Sequence, residues 1–133
     1  MANVFSHSLE VRFRDCDAMG HVNNAVYLTY LEETRFAYWR SLWGPDLRSN
    51  GTPGIILARA EIDYRRPAKY GETLEIRMTL DRIGRTSIAS SYEVVNQLGD
   101  LTANAKTVIV VYDYATGQPV PVSESIRARL MAS

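Results

Sequence analysis

The chain holds one cysteine, Cys16, among 133 residues. No internal disulfide can form, which fits a reducing compartment and points to the cytoplasm. It has no surplus of either charge: 15 Lys and Arg balance 15 Asp and Glu. A neutral total gives no footprint for nucleic acid and none for an anionic membrane, although a local basic patch can still hold a phosphate-bearing ligand. Long apolar runs are missing too. Residues 1–13 have neither the apolar core nor the cleavage pattern of a secretory signal. Repeats, low-complexity tracts and linkers are absent, so residues 1–133 read as one domain, a size that buries roughly two thirds of its unfolded surface. There is no Gly-x-Ser-x-Gly elbow and no phosphate loop, which removes two common routes to catalysis.

What is present concentrates in one place. Residues 15–24, Asp-Cys-Asp-Ala-Met-Gly-His-Val-Asn-Asn, pack two carboxylates, an imidazole, a glycine and two amides into ten positions. Residues 25–43 then run without Pro or Gly until Gly44 and Pro45, and read as a helix. Either Asn23 or Asn24 can be its N-cap, and Arg40 suits the negative end of its dipole. Tyr27, Leu28, Tyr30, Leu31, Phe36, Ala37, Tyr38 and Trp39 spread round most of its circumference. Such a helix is expected to be wrapped by other structure, and it is too short and too charged to cross a bilayer. A titratable loop therefore leads into the positive end of a buried helix. That arrangement suits an oxygen carrying negative charge.

The remainder alternates with a period of two. Residues 7–13 read as a first strand, with Leu9, Val11 and Phe13 on one side. After a connector holding two Pro and three Gly at residues 44–54, Ala58, Ala60, Ile62 and Tyr64 alternate with Arg59, Glu61 and Asp63 up to Pro67. Leu74, Ile76, Met78 and Leu80 form the next face, and residues 86–96 and 101–112 read as two more strands joined by a turn at 97–100. Val108, Ile109, Val110 and Val111 are expected to be covered on both faces. Residues 113–121 read as loop, and Ser123 caps a short terminal helix. One strand, one long helix and then consecutive hairpins argue an α+β fold, an antiparallel sheet of about five strands curled round a central helix. Its open edges make self-association the expectation.

Several chemistries can be weighed from residue types alone. Asp15-x-Asp17-x-x-Gly20 opens like a calcium loop, but Met19 and Val26 stand where oxygen ligands are required. Cys16 lies between two carboxylates, which disfavour its thiolate, so a cysteine hydrolase is not indicated. Asp15 and Asp17 can cap turns or pair with Arg12, Arg14 or Arg35. Placed before a helix N-terminus, a carboxylate can equally activate water or attack directly while helix N–H groups hold the oxyanion. His21 can be structural or can share that work. Arg65 and Arg66 at one strand end, and Arg85, Thr86 and Ser87 at a turn, are basic or polar spots that could hold phosphates.

The run Asp15-Cys16-Asp17-Ala18-Met19-Gly20, followed by Tyr27, Tyr30 and Glu33 on the helix, resembles the hotdog-fold thioesterases. The likeness is to the 4-hydroxybenzoyl-CoA thioesterase-like acyl-CoA hydrolases, and it extends over the strand order. The resemblance implies a hotdog fold and hydrolysis of an acyl-CoA, or acyl-carrier-protein, thioester without a cofactor or metal. It assigns Asp17 as base or nucleophile and the N–H near Asn24 as the oxyanion donor, with His21, Asn23 and Asn24 orienting Asp17 or the water. It places Tyr27, Glu33, Arg66, Arg85, Thr86 and Ser87 with the substrate, the last three often reaching the CoA nucleotide from a neighbouring subunit. A homodimer or homotetramer is implied. His21-Val22-Asn23-Asn24 departs from the aromatic-acyl branch and is similar to the fatty acyl-CoA and carrier-protein enzymes. An acyl-CoA binding protein without turnover and a hotdog dehydratase are the alternatives.

Overall fold

The computed structural model describes residues 4–133. Strand β1 (Val4–Glu10) leads through a 3-10 turn (Phe13–Asp15) into helix α1 (Asn24–Trp43). Strands β2 (Ile55–Tyr64), β3 (Thr73–Ile83), β4 (Ser87–Asn96) and β5 (Leu101–Asp113) follow, then a two-residue strand β6 (Gln118–Pro119) and helix α2 (Glu124–Ala132). All strand pairs are antiparallel, in the order β1-β3-β4-β5-β2, with β6 added to β5. Register shifts interrupt three of the pairings, at Leu57/Arg59, Leu80/Arg82 and Val94/Val95. Bulges of this kind bend and twist a strand, which lets the sheet curl round a helix.

The expected α+β architecture is the one that forms. Leu74, Ile76, Met78 and Leu80 all turn inward from β3, and Ile88, Tyr92 and Val94 do so from β4. They meet Tyr27, Tyr30, Leu31, Tyr38 and Trp39 of α1 in one core. Polar groups inside it are paired: Tyr92 and Thr107 share a hydrogen bond of 2.8 Å, and Thr34 donates to the Tyr30 carbonyl at 2.9 Å. Asn23 is the N-cap of α1, its side chain accepting from the Ala25 N–H. The helix ends at Gly44, whose φ of 97° is open to glycine and strained for other residues. Ser123 caps α2 by accepting from the Ile126 N–H, as its position in the sequence predicts.

Two expectations are corrected. The first strand ends at Glu10, not at residue 13, because the Asp15 carboxylate accepts from the Arg12 N–H at 3.0 Å and folds the chain into the 3-10 turn. Phe13 is consequently 78% exposed, resting edge-on against Tyr70. Ala25, Leu28, Thr29, Glu32 and Arg40 form an exposed stripe along the wrapped helix α1. The loop expected over residues 113–121 contains β6. Among the described residues, no helix is long and apolar enough to cross a membrane.

Candidate active site

The ten-residue stretch closes on itself before α1 begins. The Asp17 N–H donates to the His21 carbonyl at 2.8 Å, and the Gly20 N–H returns to the Asp17 carbonyl at 3.0 Å. Gly20 has a φ of 83°, so this turn depends on a residue without a Cβ. Cys16 and Val22 form an isolated bridge across its base, and His21 bridges to Lys69. The Val22 N–H donates to the Ala68 carbonyl at 2.8 Å, tying the loop to the segment after β2. The loop is thus a small β-like tongue with its polar side chains at the tip.

The two aspartates are separated by environment. Asp15 is buried, and one of its carboxylate oxygens accepts from the Arg12 N–H at 3.0 Å, the Tyr30 hydroxyl at 2.8 Å and the Arg12 guanidinium at 3.3 Å. Burial alone would push its carboxyl up, but those donors together outweigh it and hold the group below the usual carboxylate range. The same burial, with Asp15 beside it, drives the Tyr30 phenol far above its ordinary range. The Asp15 carbonyl also accepts from the Asn23 N–H at 2.9 Å. Asp15 therefore anchors the loop to the helix. Asp17 is exposed, with one oxygen receiving the Met19 N–H at 2.9 Å and leaving acceptor capacity facing outward.

Asp17 opens onto a cleft of about 320 Å³ at the N-terminus of α1. His21, Asn24 and Tyr27 line it from the loop and helix, and Tyr64 and Arg66 from the end of β2 and beyond. At the helix end the backbone donors are mostly claimed. The Ala25 N–H goes to the Asn23 side chain and the Val26 N–H to the Asn23 carbonyl, each at 2.9 Å. The Asn24 N–H finds no acceptor among the described residues. A first-turn N–H left open beside a carboxylate can receive an oxyanion while the carboxylate serves a nucleophile.

Of the residues singled out in the sequence, Asp17, His21, Asn24, Tyr27 and Arg66 come together in this cleft. Asn23 is spent on capping. Glu33 does not line the cleft; it lies further along α1 and meets His7 of β1 at 2.7 Å. Arg85, Thr86 and Ser87 sit at the β3–β4 connection, where the Arg85 carbonyl accepts from the Val122 N–H. Ser87 pairs with Val110 and Tyr64 with Ala103, so within one chain the turn and the cleft lie at opposite ends of the sheet, roughly 25 Å apart by strand rise. Met19, Tyr64, Arg65 and Pro67 also line the cleft. Of these, Tyr64 carried no signal beyond its place at the end of an alternating strand. Cys16 is half-buried and outside the lining, its thiol 3.8 Å from the Arg12 carbonyl. Among the described residues, no group of three or more His, Cys, Asp or Glu is placed to hold a metal ion.

Comparison with known proteins identifies the family from two directions, sequence and fold. The family profile of the thioesterase-like superfamily matches residues 11–130. The long-chain acyl-CoA thioesterase FadM of Escherichia coli is 30% identical over 92% of this chain and 93% of its own length. The 1,4-dihydroxy-2-naphthoyl-CoA hydrolase of Rippkaea orientalis is 35% identical over 87% of each. A Thermus thermophilus thioesterase, solved with coenzyme A and zinc, superposes with a TM-score of 0.83 at 35% identity over 98% of both chains. With the profile match running from Val11 to Leu130 and the fold shared almost end to end, the chain belongs to the thioesterase-like superfamily and is a thioester hydrolase.

Proposed function

We propose that the protein hydrolyses acyl-CoA thioesters to the free acid and CoA, with Asp17 and the Asn24 N–H as its reacting groups. One observation carries this reading: the exposed Asp17 carboxylate and Asn24, with its unclaimed N–H, line the same cleft. As base, Asp17 takes a proton from water while the water oxygen bonds to the thioester carbon. As nucleophile, it makes that bond itself and water later releases the acid. Either way the carbonyl oxygen gains charge against the Asn24 N–H, and the C–S bond breaks to release the CoA thiolate, which is then protonated. His21 lines the cleft close enough in sequence to orient Asp17 or the water.

A fatty acyl group is the first choice, supported by the likeness to a long-chain acyl-CoA thioesterase over nine-tenths of both proteins. An aromatic acyl group is the second, supported by the naphthoyl-CoA hydrolase relative and by the tyrosine rings of the cleft, Tyr27 and Tyr64. Arg65 and Arg66 at the rim suit the phosphates of CoA.

The functional unit we propose is a dimer formed through β2. Among the described residues that strand is an unpaired edge of ten residues, largely exposed, with Ile56 and Leu57 both over 40% accessible. An antiparallel pairing centred on Ala60 would set Arg59 of each copy opposite Glu61 of the other. It would also bring the Arg85–Thr86–Ser87 turn of one copy to the end of the sheet that carries the cleft of the other. Those residues then serve the CoA nucleotide in trans.

The test is thiol release from palmitoyl-CoA and from 1,4-dihydroxy-2-naphthoyl-CoA. Release from the first at the higher kcat/KM supports the fatty reading, and the reverse order supports the aromatic one. Binding without release from any acyl-CoA would leave a carrier in place of an enzyme. Conversion of the acyl chain without thiol release would indicate a dehydratase.

A further inference from the structure

The donor at the head of α1 is framed by hydrogen bonds on every side. The peptide unit joining Asn24 to Ala25 is held at both ends: its N–H donates to the Asn23 side chain at 2.9 Å, and its carbonyl accepts from the Tyr64 hydroxyl at 3.0 Å. The preceding unit has its carbonyl claimed by the Val26 N–H at 2.9 Å. One unit earlier again, the Asn23 N–H donates to the Asp15 carbonyl at 2.9 Å. The Asn24 N–H is the group left open in this frame. Each restraint except one arises from the helix or the loop leading into it. The exception is Tyr64, which reaches in from the edge strand β2.

Tyr64 is well placed for that work. Its ring stands edge-on to Tyr27 at 5.3 Å, and Tyr27 stands edge-on to Tyr30 at 5.9 Å. Tyr30 in turn donates to the Asp15 carboxylate. A line of three tyrosines therefore connects β2, the first turns of α1 and the base of the Asp17 loop. Tyr64 is nonetheless 47% exposed, so its hydroxyl is not needed to fill a core. Its bond to a helix carbonyl fixes the orientation of the first turn instead. Preorganised donors stabilise a developing oxyanion because they need not reorient as charge appears.

We propose that Tyr64 is a positioning residue, acting through the Asn24 carbonyl to aim the Asn24 N–H at the thioester oxygen. The inference rests on the hydrolase reading above. Tyr64→Phe keeps the ring contact with Tyr27 and removes only the hydroxyl. It should lower kcat for acyl-CoA hydrolysis by roughly tenfold, less than the loss of a whole oxyanion donor, with KM changed by less than about twofold. Amide exchange at Ala25, measured by NMR, should become faster. Tyr38→Phe is the matched control: the Tyr38 hydroxyl also makes a single hydrogen bond, with the Ser133 hydroxyl at 2.6 Å, further along α1 and away from β2. It should leave kcat unchanged. An active wild type whose Tyr64→Phe variant keeps full kcat, or changes only KM, or loses no more than Tyr38→Phe, overturns this inference alone. A wild type that releases no thiol from any acyl-CoA overturns the hydrolase reading, and this one with it.

Discussion

Asp15 and Asp17 carry the same side chain two residues apart and meet opposite surroundings. Asp15 is buried under three donor contacts; Asp17 stands open at the mouth of the cleft. Replacing each by Asn should separate position from catalysis. Asp17→Asn removes charge and basicity at an exposed site, so kcat should fall at least about a hundredfold while KM moves far less. Steady-state kinetics on a folded variant checks this, and near-normal turnover would move the chemistry elsewhere. Asp15→Asn should act on stability instead, at roughly 2 kcal/mol, because hydrogen bonds to a buried charge weaken. The pH dependence fixes the sign. The folded-state carboxyl titrates below its unfolded value of about 3.9, so its stabilisation is complete above that pH and lost as pH falls through the lower folded value. Melting temperatures of parent and variant should differ most near neutrality and converge as pH falls through the lowered folded-state value. A gap that stays constant down to pH 2 would show that the ionised form is not the stabilising one.

At the scale of elements, α1 and its leading loop form a single device, and much of it could be read in advance. The strand–helix–hairpins order, the inward face of β3 through Leu74, Ile76, Met78 and Leu80, and the cap at residue 123 all follow from local periodicity and side-chain chemistry. So does the coming together of Asp17, His21 and Asn24, which are neighbours in sequence. What escaped were contacts between residues far apart. Tyr64 reaches Asn24 across 40 positions, and Glu33 is drawn to His7 across 26. No periodicity encodes such partners. The end of β1 was hidden because one Asp15 oxygen, and no apolar pattern, turns the chain at Arg12. The choice between Asn23 and Asn24 as cap was open on residue type, since both can accept from a first-turn N–H. The structure gives it to Asn23, whose replacement by Ala should therefore cost about 1 kcal/mol and lower Tm by roughly 3–5 °C. Differential scanning calorimetry of Asn23→Ala reads this directly, and an unchanged Tm would mean that water caps the helix as well as the side chain does.

For the whole molecule, the decisive feature is the distance between the cleft and the Arg85 turn. One chain holds them at opposite ends of its sheet, so a site using both must draw on two copies. A mixed dimer tests this without solving the assembly. Asp17→Asn alone should be nearly inactive, and Arg85→Ala alone should turn over with a raised KM for acyl-CoA. In a heterodimer of the two variants, a site built in trans takes its Asp17 from the Arg85→Ala chain and its Arg85 from the Asp17→Asn chain. That site is intact, and its companion carries both lesions. Random reassociation of an equal mixture makes about half the dimers mixed, so about a quarter of all Asp17-containing and Asp17-lacking sites together should regain the parent KM. A site built within one chain gives a different result, because every active site in the mixture then keeps the Arg85→Ala lesion. Recovery of low-KM turnover on mixing, absent from either variant alone, identifies the trans site. Kinetics that remain the plain sum of the two variants, after exchange between labelled dimers has been shown to occur, would remove Arg85 from the partner's cleft.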